Sequence, residues 1–244
     1  MQRLRARRLT LRRHQAAVCL LSAALWFPVG AASGASPPPP STLPALPLIL
    51  SLEQQAEVVD AWTAARARQL LPSLMDRAGL DMWLIIGREY NEDPVLETML
   101  PARWLSARRR TMLMVHDPGD GAPLETLAVA RYDVGEVFRQ AWDPAAEPDQ
   151  WRRLAALIEA RDPQRIGINV SEHFALADGL SHTEHELLRD ALPDRYRQRL
   201  VSAEAAAIGW LETRTRAEMT VYRQICRMAH AIIAEGLSEA AVQP

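Results

Sequence analysis

Charged side chains are concentrated in one short stretch that follows a run of apolar residues. Residues 88–93 read Arg-Glu-Tyr-Asn-Glu-Asp, directly after Gly87 and the apolar run at 82–86. α/β domains tend to bind ligands in loops at the carboxyl ends of buried strands. The stretch therefore predicts a surface site, although a solvated connecting loop has the same composition. The candidate site residues are Arg88, Glu89, Tyr90, Asn91, Glu92 and Asp93.

The other groups that suggest chemistry are incomplete. Residues 182–186 read His-Thr-Glu-His-Glu, but Arg189 stands where the His-Glu-x-x-His zinc motif needs its second histidine. Glu184 is also three residues after Ser181, which assigns it to a helix cap. The Arg108-Arg109-Arg110 run is better explained as a solvated strand start than as an anion site. The sequence thus predicts no catalytic residue and no metal ligand.

The elements that must position the loop alternate between helices and strands. Turn residues at 117–121 join two of the strands into a hairpin. This order predicts an α/β fold with a mixed β-sheet and helices on both faces. Pro72 is expected to kink or split the first helix. The predicted helices are 51–79, 94–100, one from Pro148, one from Ser181, 203–211 and 215–236, and the predicted strands are 82–86, 111–115, 124–130, 165–170 and 200–201.

The last predicted helix has a wide apolar side. Thr215 and Glu218 form a capping box at its start, and Gly236 is placed to end it. Its apolar side chains cover about half of the circumference, so the helix needs a large partner surface. We therefore expect residues 213–244 to be the start of a second domain, of which only the first helix is present. The apolar positions are Met219, Val221, Tyr222, Ile225, Cys226, Met228, Ala229, Ile232 and Ile233.

The amino-terminal residues resemble an export signal. Six arginines precede a short apolar run at 16–27, and small residues follow at 31–35. We expect residues 1–35 to be a cleaved signal peptide and residues 36–50 a proline-rich linker, which places the α/β domain at 51–212. The protein would then be secreted or periplasmic and would have no membrane contact after cleavage. An uncleaved anchor is the alternative.

Charge argues against one class of partner. The chain has 28 basic and 30 acidic residues. Removing the six arginines of residues 1–35 leaves 22 basic against 30 acidic residues, a net charge of −8. Such a balance disfavours nucleic-acid binding.

Four segments resemble one family of metallopeptidases. Residues 79–86 (Gly-Leu-Asp-Met-Trp-Leu-Ile-Ile) resemble the first strand of the N-terminal domain of Xaa-Pro aminopeptidases, prolidases and creatinases. Residues 88–94 and 104–111 resemble a secreted bacterial branch of that family. Residues 209–219 resemble the segment that leads into the catalytic "pita-bread" domain, with Arg214 where the family usually has lysine.

The resemblance implies an activity whose residues lie outside this chain. The family hydrolyses N-terminal Xaa-Pro bonds with two divalent ions, such as manganese, held by two Asp, one His and two Glu of the catalytic domain. None of these ligands is carried over to a position of this sequence, so no cofactor is expected in the chain itself. The implied partners are the catalytic domain, a peptide substrate and further copies of the protein in a homo-oligomer. We expect the 244-residue chain alone to be inactive.

Three other interpretations stay open. The chain is alternatively a non-catalytic dimerisation or interaction module, in which the apolar side of residues 219–233 captures its partner. It is alternatively the product of a decayed gene. Within the family, prolidase or creatinase-type amidinohydrolase activity is the alternative, because one domain type serves several chemistries.

Overall fold

The computed structural model describes residues 49–241, in which helices and strands alternate as expected. The predicted signal peptide lies outside the described residues, as does the linker except for its last two residues. The α-helices are α1 (Leu52–Ala78), α2 (Pro94–Glu97), α3 (Gln150–Arg161), α4 (His182–Ala191), α5 (Asp194–Arg197), α6 (Glu204–Glu212) and α7 (Arg216–Gly236). The strands are β1 (Met82–Arg88), β2 (Arg110–His116), β3 (Glu125–Val129), β4 (Arg139–Gln140), β5 (Ile166–Ile168) and β6 (Leu200–Ser202).

The six strands form one mixed sheet in the order β4-β3-β2-β1-β5-β6. β2 is antiparallel to both of its neighbours, β1 and β3, whereas the pairs β3–β4, β1–β5 and β5–β6 are parallel. Five strands therefore run in one direction and β2 runs against them. Their carboxyl ends and the amino end of β2 share one edge of the sheet, which we call the carboxyl edge.

Helices cover both faces of this sheet, as the sequence predicts. Successive side chains of a strand point to opposite faces. In β1, Trp83 and Ile85 join a core with α1, α2 and α6, while Met82, Leu84 and Ile86 join a second core with α3, α4 and α5. Because both faces of β1 are buried, its sequence is a continuous apolar run instead of an alternating one.

The helix caps follow the predicted chemistry. Ser51 with Gln54 and Thr215 with Glu218 both form complete capping boxes, so α1 and α7 begin where the sequence places them. Gly79 closes α1 with a φ of 60°, in the left-handed region that favours glycine.

Two predictions made at prolines differ from the structure. Pro72 does not split α1, because the buried Leu71 and Leu74 hold the helix against the core on either side of it. Pro148 lies before α3, whose cap is Asp149; the Asp149 carboxylate accepts hydrogen bonds from the amides of the first turn. α7 ends at Gly236, as the sequence predicts, although this glycine does not form a left-handed cap.

Two short helices and one strand were not predicted. β4 has 2 residues and α5 has 4 residues. The second short helix is a 3-10 turn of 3 residues at Ala175–Ala177. Segments of this length are too short to show a helical or strand period.

Candidate functional site at the carboxyl edge of the sheet

The predicted loop begins inside the sheet. Arg88 is the last residue of β1 and pairs with Arg110 of β2, so the prediction that placed Arg88 in a loop is wrong. Arg88 and Asn91 then close a tight turn with two backbone hydrogen bonds of 3.2 and 2.9 Å. Tyr90 lies at the tip of the turn with a φ of 66° and is 87% exposed. The turn thus presents an aromatic side chain to solvent at the carboxyl edge.

Two of the three carboxylates in this stretch hold the neighbouring segment. The amide of Glu89 donates to the carbonyl oxygen of Arg109 (2.7 Å), and the amide of Arg109 donates to the Glu89 carboxylate (3.3 Å). One oxygen of Glu92 accepts from the amides of Tyr90 (3.1 Å) and Ala107 (2.8 Å). Both acids therefore fix the backbone at Ala107 and Arg109 against the turn.

Asp93 is buried, which corrects its predicted surface position. It caps α2 by accepting from the amides of Val95 (2.8 Å) and Leu96 (3.0 Å). The side-chain amide of Asn169 donates to both Asp93 oxygens (3.0 and 2.9 Å), and the Trp83 indole donates to Asn169 (2.7 Å). Burial raises the pKa of Asp93, although these donors act in the opposite direction. Asp93, Asn169 and Trp83 therefore form a buried hydrogen-bond network that stabilises the fold.

The space behind Asp93 leaves no room for a side chain. A Cβ atom added to Gly179 would lie 2.2 Å from an Asp93 carboxylate oxygen. Glycine at 179 thus lets the 3-10 turn region approach α2 closely. The Asp-Pro pair at 93–94 is a helix-start signal that could have revealed the cap.

Glu184 has a role that the sequence did not reveal. Its backbone amide donates to the Ser181 hydroxyl at 3.5 Å, so the helix start is as predicted. Its carboxylate, however, is 1% exposed and accepts from Arg110 at Nε (2.6 Å) and Nη2 (3.2 Å), with Arg88 Nε at 3.2 Å. The prediction that used this carboxylate in the cap is therefore wrong. One buried acid pairs with two arginines and ties α4 to the central strands.

The arginine run at 108–110 begins β2 and also lines a concavity. Arg110 is the first residue of the strand, as the sequence suggests. Together with Arg131, which follows β3, the three arginines border a cavity of about 360 Å³. Tyr132, Trp142 and Gln150 complete the lining. The arginine run therefore both leads into β2 and contributes basic side chains to the cavity.

These residues do not form a catalytic set. Glu89, Glu92, Asp93 and Glu184 already accept hydrogen bonds from the protein. Within residues 49–241, no group of three or more His, Cys, Asp and Glu side chains is arranged to hold a metal ion. This part of the chain therefore does not fit the metal pair that the resemblance implies.

A second candidate surface is the apolar side of α7. No residue of α7 is buried, and Tyr222 and Ile225 are each 51% exposed, Ile232 64% and Ile233 57%. Val221, Cys226 and Met228 lie between them and are half-buried. The described residues leave a continuous apolar surface on this helix, which is the feature expected of an interface.

The first turn of α7 is attached firmly. Arg66 of α1 donates to both oxygens of Glu218 (3.0 and 3.1 Å) and to the carbonyl oxygens of Thr213 (2.7 Å) and Trp210. Its guanidinium also lies 4.6 Å from the centre of the Trp210 ring. Burial lowers the pKa of Arg66. Burial also acts to raise the pKa of Glu218, but the Thr215 hydrogen bonds and Arg66 outweigh it and lower that pKa.

The fold and these two surfaces define an α/β protein with a mixed sheet, a polar carboxyl edge and an uncovered amphipathic helix. No known protein family and no curated protein matches the sequence. Among solved structures, the chain is similar to an Xaa-Pro dipeptidase from Bacillus anthracis, with 13% identity and a TM-score of 0.49 over 74% of this chain and 44% of that one. The chain thus spans less than half the length of that protein. None of the helices within residues 49–241 has the length and apolar character required to span a membrane.

Proposed function

We propose that this chain is the N-terminal, non-catalytic part of a secreted or periplasmic peptidase that uses two divalent metal ions to hydrolyse N-terminal Xaa-Pro bonds. The uncovered apolar side of α7 carries the proposal. The four sequence segments at 79–86, 88–94, 104–111 and 209–219 support the same family. In this proposal α7 is the first helix of the catalytic domain, and the metal ligands belong to that domain.

The geometry of α7 suits a helix that opens a domain. Its first turn is fixed by the capping box and by the hydrogen bonds between Arg66 and Glu218, so its direction is set before any partner binds. Burying one large apolar side chain contributes roughly 1.5–3 kcal/mol. Covering Tyr222, Ile225 and Ile232 together would therefore give a partner domain a substantial anchoring surface.

The carboxyl edge would then shape access to the active site. Tyr90 and Asn91 are the exposed members of the predicted loop and could meet a peptide, whereas Arg88 is paired with Glu184. Glu89, Glu92 and Asp93 would act indirectly, because they hold the turn and the segment beside it. Packing against the catalytic domain of a neighbouring copy would bring this edge to the mouth of the site.

The test is to express the reading frame that contains these residues up to its stop codon and to assay Xaa-Pro peptides with Mn²⁺. We expect turnover by the product of that frame and none by residues 1–244 alone. Ile225→Asp should disrupt assembly with the catalytic domain, whereas the exposed Gln224→Asp on the same helix should not. Hydrolysis by the 244-residue chain would overturn the proposal. Dipeptide and creatine substrates in the same assay distinguish the prolidase and creatinase alternatives.

An interaction module is the second candidate, and the same apolar surface favours it. If α7 binds a second copy of the chain, the purified protein should be a dimer, which Ile232→Asp should convert to monomers. Sedimentation equilibrium measures this directly. A reading frame that stops at residue 244, together with a stable dimer, would favour the module over the peptidase.

A further inference from the structure

The cavity at the carboxyl edge has an unusual concentration of positive charge. Arg108, Arg109, Arg110 and Arg131 all line it. The chain as a whole has a net charge of −2, so this surface is opposite in sign to the protein that carries it. Four guanidinium groups around one concavity of about 360 Å³ raise the local potential far more than the same groups would if dispersed.

Most of this charge is not neutralised by the described residues. Arg110 is paired with Glu184, which is shared with Arg88. In contrast, no carboxylate oxygen within residues 49–241 lies within 4.0 Å of the side-chain nitrogens of Arg108, Arg109 or Arg131. Glu89 is beside them, but it accepts a hydrogen bond from the backbone amide of Arg109.

Aromatic rings hold two of these arginines in place. The guanidinium of Arg108 lies 4.5 Å from the centre of the Trp104 ring and 5.7 Å from that of Tyr132. That of Arg131 lies 5.6 Å from the centre of the Trp142 ring. Stacking occupies the flat face of a guanidinium and leaves the N–H groups at its edge available to an acceptor. The side chains are thus positioned without their donors being used.

The floor of the cavity is rigid. The Gln150 side-chain amide donates to the carbonyl oxygens of Arg110 (3.1 Å) and Val129 (2.6 Å), which joins α3 to two strands. The Tyr132 hydroxyl donates to the carbonyl oxygen of Arg108 at 2.9 Å. These contacts fix the backbone from which the arginines project, so little ordering is needed when a ligand enters.

We propose that this cavity is a binding site for a small multivalent oxyanion, an organic molecule that carries phosphate or carboxylate groups. Planar guanidinium groups donate paired hydrogen bonds to both kinds of group. Trp142 and Tyr132 provide an apolar wall for the remainder of the molecule. The site is a concavity that opens to solvent, and the rest of the protein is acidic, which favours a small ligand over a nucleic acid strand.

Calorimetric titration of the full chain at low salt, with pyrophosphate and with citrate as probes, tests the proposal and separates the two sources of the charge. We expect one molecule of at least one probe to bind per chain, with affinity that falls as salt is added. Arg131→Gln and Arg108→Gln, made separately, should each weaken binding about tenfold, the loss expected for one charge-assisted hydrogen bond. Arg189→Gln, an exposed arginine on α4, should leave affinity unchanged.

Two results would overturn the proposal: failure of both probes to bind at millimolar concentration, or equal loss of affinity in the Arg189 control. Arg108 and Arg131 are both exposed, so their variants should fold, and thermal unfolding of each variant verifies it. The experiment needs no peptidase activity. Failure of the anion probes to bind therefore does not contradict the proposed peptidase function. Failure of the peptidase assay likewise does not contradict anion binding at the cavity.

Discussion

The guanidinium of Arg66 and that of Arg108 both stack on a tryptophan ring, at 4.6 Å from Trp210 and 4.5 Å from Trp104, yet their surroundings differ. Arg66 is 8% exposed and donates to a carboxylate and two carbonyl oxygens. Arg108 is exposed and has no carboxylate within 4.0 Å in the described part of the chain. An arginine stacked on a tryptophan therefore stabilises the fold at Arg66. At Arg108 the same kind of pair leaves N–H donors available to a ligand.

Removing Arg66 should have the largest effect on stability. Arg66→Leu leaves Glu218 without its charged partner and two carbonyl oxygens without the guanidinium donor in a mostly buried position, and breaking such a pair costs roughly 3–5 kcal/mol. Urea unfolding of the variant measures the free energy of unfolding. Arg189→Leu, on an exposed face, is the control and should change it by less than about 0.5 kcal/mol. A similarly small loss for Arg66→Leu would contradict a structural role for this arginine.

Glu184→Gln tests a residue that combines both roles, because Glu184 is buried like the Arg66 pair and binds Arg110 of the cavity. The substitution removes the buried negative charge that Arg88 and Arg110 share, so we expect a loss of about 2 kcal/mol in the free energy of unfolding. It should also tighten binding of the anionic probe, since Arg110 then faces the cavity without an acid partner. Glu186→Gln, two residues further along the same helix and half-exposed, is the matched control. Unchanged stability, or weaker anion binding, would contradict the inference that Glu184 holds Arg88 and Arg110 in the fold and competes with an anion for Arg110.

Local patterns predicted the elements, whereas the polar contacts between them escaped the sequence. The caps at Ser51 and Thr215 and the apolar run of β1 need only neighbouring residues, and each was found. The Arg66–Glu218 and Arg110–Glu184 pairs join residues 152 and 74 positions apart. Nothing in a periodic pattern specifies which distant acid meets which arginine, because that choice depends on how the helices pack.

The candidate site shows the same division. The sequence placed a polar turn after β1 correctly, because a run of charged residues after a buried strand is a local signal. It misjudged Asp93, whose partners Asn169 and Gly179 come from a distant segment. The arginine cavity was missed as a site because Arg131 and the 108–110 run meet only through the pairing of β2 with β3.

Acid should loosen the attachment of α7 more than it affects the arginine cavity. The pKa of Glu218 is lowered in the folded protein, so the stability it contributes is complete above the pKa of an unfolded glutamate, about 4.3, and is lost as pH falls through the lower folded value. The difference in unfolding free energy between the wild type and Glu218→Gln should therefore shrink below that pH. Comparing the two proteins removes the contribution of Asp93, whose raised pKa acts with the opposite sign. A difference that stays constant on acidification would show that the Glu218 charge does not hold α7.

The smallest effect on stability is expected where the arginines are open to solvent. Arg131→Gln gives up a cation–π contact at 5.6 Å from Trp142 and no ion pair within the described residues, so the free energy of unfolding should change by about 0.5 kcal/mol or less. Mutual repulsion among the four guanidinium groups acts in the other direction, so removal of one can even stabilise the fold. Urea unfolding with and without citrate separates the two roles, because a ligand that binds only the folded state stabilises it by RT ln(1 + L/Kd), where L is the free ligand concentration. The wild type should gain stability from citrate and the variant should gain little. If Arg131→Gln instead destabilises the protein as much as Arg66→Leu does, the cavity arginines are structural, and the contrast between the two regions does not hold.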